Sequence, residues 1–177
     1  MIRFLNRYTD AMVEAIFAEH GVLDKILGDG LLVLFGAPEP APDHALRAVR
    51  AALRMAALLP ELNAVWPLRI GIGIHSGSLI DGIVGRGRRV EYTVIGDAVN
   101  TASRVQDYTK EVLAWRIQRE GDDGQPEATI LITGATYAPV GDRVRVDPDV
   151  PPCQARGKAD PILVYRLLGW AESETED

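Results

Sequence analysis

Apolar residues recur along the chain with two spacings, one typical of helices and one typical of strands. Over residues 2–19 they return every three or four positions, which predicts an amphipathic helix. Two short apolar runs follow at residues 22–27 and 31–35, and the Gly28-Asp29-Gly30 link between them predicts a β-hairpin. The chain is therefore expected to open with a helix and two antiparallel strands.

The middle of the chain combines a second helix with a strand that has an unusual face. An apolar stripe over residues 43–60, with Asp43 at the capping position, predicts the helix. In residues 68–75, isoleucines on one side alternate with Gly71 and Gly73 on the other. Because glycine has no side chain to pack, this face predicts that another element lies very close to the strand backbone.

The second half of the chain predicts further strands and two more helices. Strands are expected at residues 79–84, 90–94, 129–132, 144–146 and 162–168, and helices at residues 97–108 and 135–139. The polar residues 110–127 are interpreted as a surface loop. The whole forms one domain over residues 1–170, followed by an acidic tail at 171–177 that is expected to be disordered.

Composition restricts the class of protein. The 177 residues are 47% apolar and 25% charged, with a formal net charge of −6. This apolar fraction excludes a disordered chain, and the acidic balance argues against nucleic acid or an anionic membrane as the main partner. The single cysteine, Cys153, excludes an internal disulfide. Since no apolar run approaches the roughly twenty residues of a membrane span and residues 1–20 lack signal-peptide features, a soluble cytoplasmic domain is expected.

The predicted hairpin carries two residues that have more than one interpretation. Asp29, at the tip, is compatible with an ordinary turn aspartate and with an exposed carboxylate ligand for a hard cation such as Mg²⁺. Lys25 is compatible with a solvated strand residue. By strand alternation, however, it shares a side with Leu23 and Leu27, which favours a covered position where a lysine binds a ligand.

A helix is predicted to begin near Asp97, which is interpreted as its N-terminal cap. Asn100 and Arg104 lie on one face of this helix, because they are four residues apart. A solvated helix face explains this pair as well as a functional site does. In the functional interpretation, an amide and a guanidinium reach the same anionic centre, and the planar donor fork of arginine suits phosphate.

Two basic segments interrupt the acidic chain. The first segment contains Arg86, Arg88 and Arg89. These arginines could protect a strand edge from pairing with another chain, or they could bind phosphate groups. Gly157-Lys158 lies in a predicted loop, where the G-x-x-x-x-G-K-[ST] pattern of a P-loop is absent. The three histidines lack metal-ligand spacing and are interpreted as structural, and neither a hydrolase triad nor a catalytic thiol is predicted.

Taken together, these segments resemble the catalytic domain of class III adenylate and guanylate cyclases. The resemblance is carried by LDKILGDGLLVLFGAP (23–38), DHALRAV (43–49), RIGIGIHSG (69–77) and EYTVIGDAVNTASR (91–104), then by Gly157-Lys158 and residues 161–165. They follow the order of the family over nearly the whole chain. The resemblance implies an α+β fold with a ferredoxin-like βαββαβ core and additional C-terminal strands.

The resemblance also implies a reaction, in which the 3′-hydroxyl of ATP attacks its own α-phosphate to give cyclic AMP and pyrophosphate. Asp29 matches a metal-ligating aspartate for Mg²⁺ or Mn²⁺, with two ions expected per complete site. Lys25 and Thr93 match the pair that reads the purine. A lysine can donate to adenine N1 and a threonine hydroxyl can accept from the exocyclic amine, whereas guanylate cyclases typically carry Glu and Cys here, so ATP is favoured.

The remaining matched residues contact the sugar and the phosphates. Asn100 matches the residue that orients the ribose, and Arg104 matches the one that stabilises charge at the α-phosphate. Arg88 and Lys158 match polyphosphate-binding positions, with Arg86 and Arg89 competing for the role of Arg88. In the family the site forms between two head-to-tail subunits, so a homodimer or a cyclase-domain heterodimer is expected, and a monomer is expected to be inactive. The resemblance implies that Asp29 of one subunit serves one site, whereas its Lys25, Thr93, Asn100 and Arg104 serve the other.

One segment of the family pattern is expected to be missing. Family members carry a strand with the pattern Phe-x-Asp-Ile-x-Gly-Phe-Thr before the first helix, and its aspartate is the second metal ligand. This sequence begins at Met1, after that position. In the family's sheet this strand lies between the strands that match residues 31–35 and 68–74. Two unpaired strand edges are therefore expected, and the chain is expected to be inactive because it lacks one metal ligand.

The alternative function is a non-catalytic cyclase-homology module for nucleotide binding or dimerisation. A regulatory domain or a membrane tether outside the chain is compatible with either function.

Overall fold

The computed structural model describes residues 2–62, 68–86, 89–122, 127–154 and 160–171. For residues 2–3, 81, 83–86 and 89–93 it describes the backbone alone. The expected tail, at residues 172–177, lies outside the described residues. No helix in the described ranges is long and apolar enough to cross a membrane.

The elements follow the predicted order, with a short 3₁₀ turn added at Gly141–Arg143. The helices are α1 (Ile2–Ala18), α2 (His44–Leu62), α3 (Asp97–Glu120) and α4 (Gly134–Val140). The strands are β1 (Val22–Leu27), β2 (Gly30–Leu34), β3 (Arg69–Ile74), β4 (Ile80–Arg86), β5 (Arg89–Ile95), β6 (Glu127–Thr133), β7 (Val144–Asp147) and β8 (Val164–Trp170). The helix and strand periods therefore located the elements correctly, apart from the length of α3.

The strands form one larger sheet and two hairpins. The sheet has the order β3-β6-β8-β7, in which β3 and β6 are parallel and the other pairs are antiparallel. The β1–β2 and β4–β5 hairpins are separate. Within the described ranges β2 pairs only with β1, and β3 pairs only with β6. These two unpaired edges agree with the expectation from the sequence.

Helices cover both faces of the β3–β6 pair. On one face, Ile72, Ile130 and Ile132 pack against the apolar stripe of α2. On the other face, Leu131 belongs to a second core cluster with Val105 of α3. This alternation follows from the period of two in a strand, and it places α3 directly over the glycine face of β3.

The interpretation of residues 110–127 as a surface loop is wrong for residues 110–120 and for Glu127, because α3 continues to Glu120 and β6 begins at Glu127. Within the predicted loop, residues 123–126 lie outside the described residues. The polar composition of this stretch conceals an apolar stripe that continues the first half of the helix. Val105 and Val112 are fully buried, and Trp115 packs against the same cluster. Asp97 is the first helical residue and Gly96 is the N-cap, so the prediction that Asp97 caps the helix is also wrong.

Candidate active site

Asp29 lies at the exposed tip of the β1–β2 hairpin. Gly28 precedes it with a φ of +67°, a conformation that favours glycine and allows the tight turn. Burial raises the pKa of the Tyr8 phenol on α1, and the negative charge of Asp29 raises it further. The carboxylate of Asp29 is therefore exposed for a ligand and lies close enough to α1 to act on Tyr8.

Lys25 is half-buried on β1, where it bonds to the preceding residue. Its Nζ donates to Oδ2 of Asp24 at 3.1 Å. The strand has a β-bulge between Leu23 and Lys25, so that Leu23 pairs with Val33 and Lys25 pairs with Leu32. Because successive residues of β2 point to opposite faces, Leu23 and Lys25 do so too. The prediction that Lys25 shares a side with Leu23 is therefore wrong.

Asn100 and Arg104 lie on the first half of α3, one turn apart as expected. Asn100 is exposed and Arg104 is half-buried. In the described part of the chain neither side chain has a hydrogen bond or ion pair to another residue. Both therefore present unpaired polar groups, as a ligand-binding pair would.

The glycine face of β3 sets the position of this helix. A Cβ atom at Gly73 would lie 2.7 Å from the carbonyl oxygen of Ala102 and closer still to the backbone nitrogen of Gln106. A Cβ atom at Gly71 would overlap the side chain of Thr109. The prediction that another element packs closely on this face is confirmed, and that element is α3.

Arg104 lies near the base of the segment that contains Lys158. Burial and then the charge of Glu111 raise the pKa of the Cys153 thiol, whereas the charge of Arg104 lowers it. Cys153 in turn pairs with Ile162 through two backbone hydrogen bonds of 2.9 and 2.8 Å. Lys158 falls between these two residues in the sequence. Val105, the neighbour of Arg104 on α3, belongs to one core cluster with Cys153, and Ile162 packs against that cluster. This part of α3 therefore lies beside the Cys153–Ile162 pair.

Three predicted residues cannot be placed as side chains. Thr93 lies on β5, where its backbone pairs with Gly82, and its side chain is outside the described part. Arg88 and Lys158 lie wholly outside the described residues, and the side chains of Arg86 and Arg89 do as well. Their predicted roles stay predictions.

The described site residues fall on two separate surfaces. The β1–β2 hairpin, with Asp29 and Lys25, packs mainly against α1, whereas α3, with Asn100 and Arg104, packs against β3 and β6. Among the described residues no group of three His, Cys, Asp or Glu side chains could enclose a metal ion. Asp29 nevertheless fits Mg²⁺, which commonly binds through one or two carboxylates and completes its shell with water and substrate phosphates.

Comparison with known proteins decides the family. The family model for the adenylate and guanylate cyclase catalytic domain matches residues 1–113. The chain belongs to this family. The sequence resemblance and the expected class III cyclase fold are thereby confirmed.

Solved structures and curated relatives agree with the cyclase assignment. The crystal structure of the guanylyl cyclase Cya2 is 33% identical, with a TM-score of 0.80 over 97% of this chain and 81% of that chain. The adenylyl cyclase CyaB from P. aeruginosa is 26% identical, with a TM-score of 0.79 over 98% of this chain and 85% of that chain. Adenylate cyclase 1 of Rhizobium meliloti is 27% identical over 96% of this chain and 24% of its own length.

The matched part of the chain covers between 8% and 24% of the length of the curated relatives. Its neighbours include both a guanylyl and an adenylyl cyclase. The comparisons therefore show that the chain is a nucleotidyl cyclase domain, without distinguishing ATP from GTP as its substrate. The choice between these nucleotides must be argued from the residues of this chain.

Sequence reasoning missed Asp24 as a residue of the hairpin site. The side chain of Asp24 is only 2% exposed, and it accepts a hydrogen bond from Lys25, the residue that is predicted to bind the purine base. An aspartate beside a lysine in a strand gives no sign of contact, because adjacent side chains normally point to opposite faces. The β-bulge that brings these two together has no clear sequence signal here.

Proposed function

We propose that the chain is an adenylate cyclase domain that converts ATP to 3′,5′-cyclic AMP and pyrophosphate in a head-to-tail homodimer. The observation that carries this proposal is the β1–β2 hairpin, which has an exposed carboxylate at Asp29 and a half-buried ammonium at Lys25. In the head-to-tail dimer, Asp29 of this hairpin serves one site and Lys25 serves the other, so each substrate meets a metal ligand from one subunit and a base-reading donor from its partner.

The preference for adenine rests on the donor and acceptor pattern of the base. Adenine has an acceptor at N1 and a donor amine at C6, whereas guanine has a donor at N1 and an acceptor at O6. The Lys25 ammonium only donates, and the Thr93 hydroxyl can accept. This pair matches adenine at both positions and opposes guanine at N1.

The reaction is an intramolecular displacement at phosphorus. The 3′-oxygen forms a bond to the α-phosphorus as its proton leaves, and the bond from that phosphorus to the bridging oxygen of pyrophosphate breaks. The Asn100 amide holds the ribose so that the 3′-oxygen is in line with the leaving group. The Arg104 guanidinium stabilises the charge that develops on the α-phosphoryl oxygens, and Arg88 and Lys158 hold the polyphosphate.

Asp29 would hold a Mg²⁺ or Mn²⁺ ion. A bound ion of this kind makes the 3′-hydroxyl easier to deprotonate and neutralises phosphate charge. The exposed position of Asp29 leaves room for the water and phosphate ligands that such an ion needs.

The proposed homodimer is supported by apolar side chains that are exposed on the hairpins. Ile80 and Ile95 pair directly across β4 and β5 and are 76% and 59% exposed. Ile26 and Leu27 near the hairpin tip are exposed as well. A second copy that covers these residues would bring the Asp29 surface of one subunit to the Arg104 surface of the other, which completes two sites per dimer.

The test is product analysis with ATP and with GTP, each with Mg²⁺ or Mn²⁺, for the 177-residue chain and any longer natural form. We expect cyclic AMP from ATP in a form that supplies both metal-ligating aspartates. We expect Asn100→Ala and Arg104→Ala to lower turnover by about 100-fold or more, whereas Asn6→Ala on the exposed face of α1 serves as the matched control.

Two results would contradict the proposal in different ways. Cyclic GMP as the main product would overturn the assignment of the nucleotide. Tight ATP binding without product in every form would favour the non-catalytic module.

A further inference from the structure

We propose that Asp24 is a positioning residue that fixes the ammonium of Lys25 and so sets the preference for adenine over guanine. This inference rests on the proposed function and deepens it. Asp24 touches no substrate in this proposal, because it acts through Lys25.

The geometry of the bulge makes the contact between these two adjacent side chains possible. In a regular strand the side chains of residues 24 and 25 would point to opposite faces. Here the pairing passes from Leu23 opposite Val33 directly to Lys25 opposite Leu32, so Asp24 is the extra residue. A bulge redirects a side chain locally. The carboxylate of Asp24 and the ammonium of Lys25 thereby come within 3.1 Å.

Burial makes this contact strong and specific. The side chain of Asp24 is 2% exposed and that of Lys25 is 28% exposed, so the carboxylate is covered while the ammonium reaches the surface. A buried carboxylate requires a partner, because an unpaired charge in the interior is costly. In the described part of the chain, Lys25 is the partner that Asp24 has. The pair therefore holds the flexible lysine in one orientation.

A fixed ammonium discriminates between purines better than a free one. An ammonium carries three N–H donors, and the bond to Asp24 occupies one of them. Held in place, Lys25 meets the N1 acceptor of adenine and opposes the N1–H of guanine. Loss of Asp24 removes one of the contacts that orient the flexible lysine stem, which lets the ammonium turn more easily toward the O6 or N7 acceptors of guanine. Loss of Asp24 should then weaken ATP binding and also make GTP more acceptable.

The experiment measures nucleotide preference in wild type, Asp24→Asn and Asp24→Glu, by binding of fluorescent ATP and GTP analogues and by kcat/KM where turnover occurs. We expect Asp24→Asn to lower the ATP-to-GTP ratio by about 10-fold or more, as for loss of a charged hydrogen bond, mainly through KM. Asp24→Glu keeps the charge and should recover part of the preference.

Two further variants separate positioning from a general effect on folding. Asp43→Asn removes a carboxylate just before α2, where Asp43 forms an ion pair of 2.8 Å with Arg47 of that helix. This variant should leave the ATP-to-GTP ratio unchanged. In a Lys25→Met background, Asp24→Asn should have no further effect on the ratio, because the group that it positions is gone.

The inference is overturned if Asp24→Asn has the same ATP-to-GTP ratio as wild type. It is also overturned if Asp24→Asn changes this ratio as much in the Lys25→Met background as it does in the wild-type background. If Asp24→Asn does not fold, a wild-type ratio in folded Asp24→Glu overturns the inference in the same way, since the moved carboxylate should alter the preference. A failure of the proposed function would look different, because wild type itself would then bind neither nucleotide or would prefer GTP.

Discussion

The candidate site residues of this domain are polar side chains, and at least one of them is held by a buried neighbour. Arg104 is half-buried, and its positive charge acts on the buried thiol of Cys153. Lys25 is held by a carboxylate that is itself covered. For Lys25, the buried carboxylate of Asp24 limits how the ammonium can move.

The thiol of Cys153 provides a direct probe of where Arg104 lies. Because burial raises the pKa of this thiol, little thiolate is present at pH 8, and alkylation by iodoacetamide should be much slower in the folded chain than in urea. Since the charge of Arg104 lowers that pKa, Arg104→Ala should raise it and slow alkylation further. Cys153 is the single cysteine, so the rate is unambiguous.

The control for this measurement is Arg119→Ala, which removes a guanidinium that stacks on Trp115 at the far end of α3. It should leave the alkylation rate unchanged. Faster alkylation in Arg104→Ala than in wild type would contradict the placement, provided that both variants melt at the same temperature.

At the scale of elements, α3 is the part whose position matters most, because it carries Asn100 and Arg104 and rests on the backbone of β3. Gly73→Ala would force a methyl group into the backbone of Ala102 and Gln106. We expect a loss of about 1–3 kcal/mol in the free energy of unfolding, from overpacking against an element that cannot relax easily. Chemical denaturation followed by circular dichroism measures it.

Gly82→Ala is the matched variant for stability, because a Cβ atom at Gly82 would meet nothing within 4 Å. It lies in a strand as Gly73 does, and its stability should change little. Equal destabilisation by both substitutions would mean that the loss of glycine itself, and not the contact with α3, is responsible.

The elements and their contacts differ in how far the sequence predicts them. The glycine–isoleucine alternation in β3 predicted a close neighbour, because the pattern leaves one face without side chains. The second half of α3 was missed, because charged residues surround the stripe through Val112 and Trp115. The bulge at Asp24 could not be predicted, because it depends on how β1 and β2 pair and not on the residues of β1 alone.

At the scale of the whole molecule, the site residues on the β1–β2 hairpin and those on α3 belong to different packing units. If two subunits complete each other, a mixture of Asp29→Asn and Arg104→Ala chains should regain activity that neither has alone. Random pairing makes half of the dimers mixed, each with one intact site, so about a quarter of wild-type activity is expected. Absence of any recovery, with dimers seen by light scattering, would contradict a shared site.

The contact between β3 and α3 has a further consequence for how such a domain can vary. Where side chains separate a helix from a sheet, their sizes set the distance, and substitutions can adjust it in small steps. At Gly73 no such spacer exists, and the two backbones are in direct contact, whereas at Gly71 the strand meets the side chain of Thr109. The height of this part of α3 above the sheet in this chain is thus set by backbone contact at Gly73, and a larger side chain there cannot adjust it in small steps.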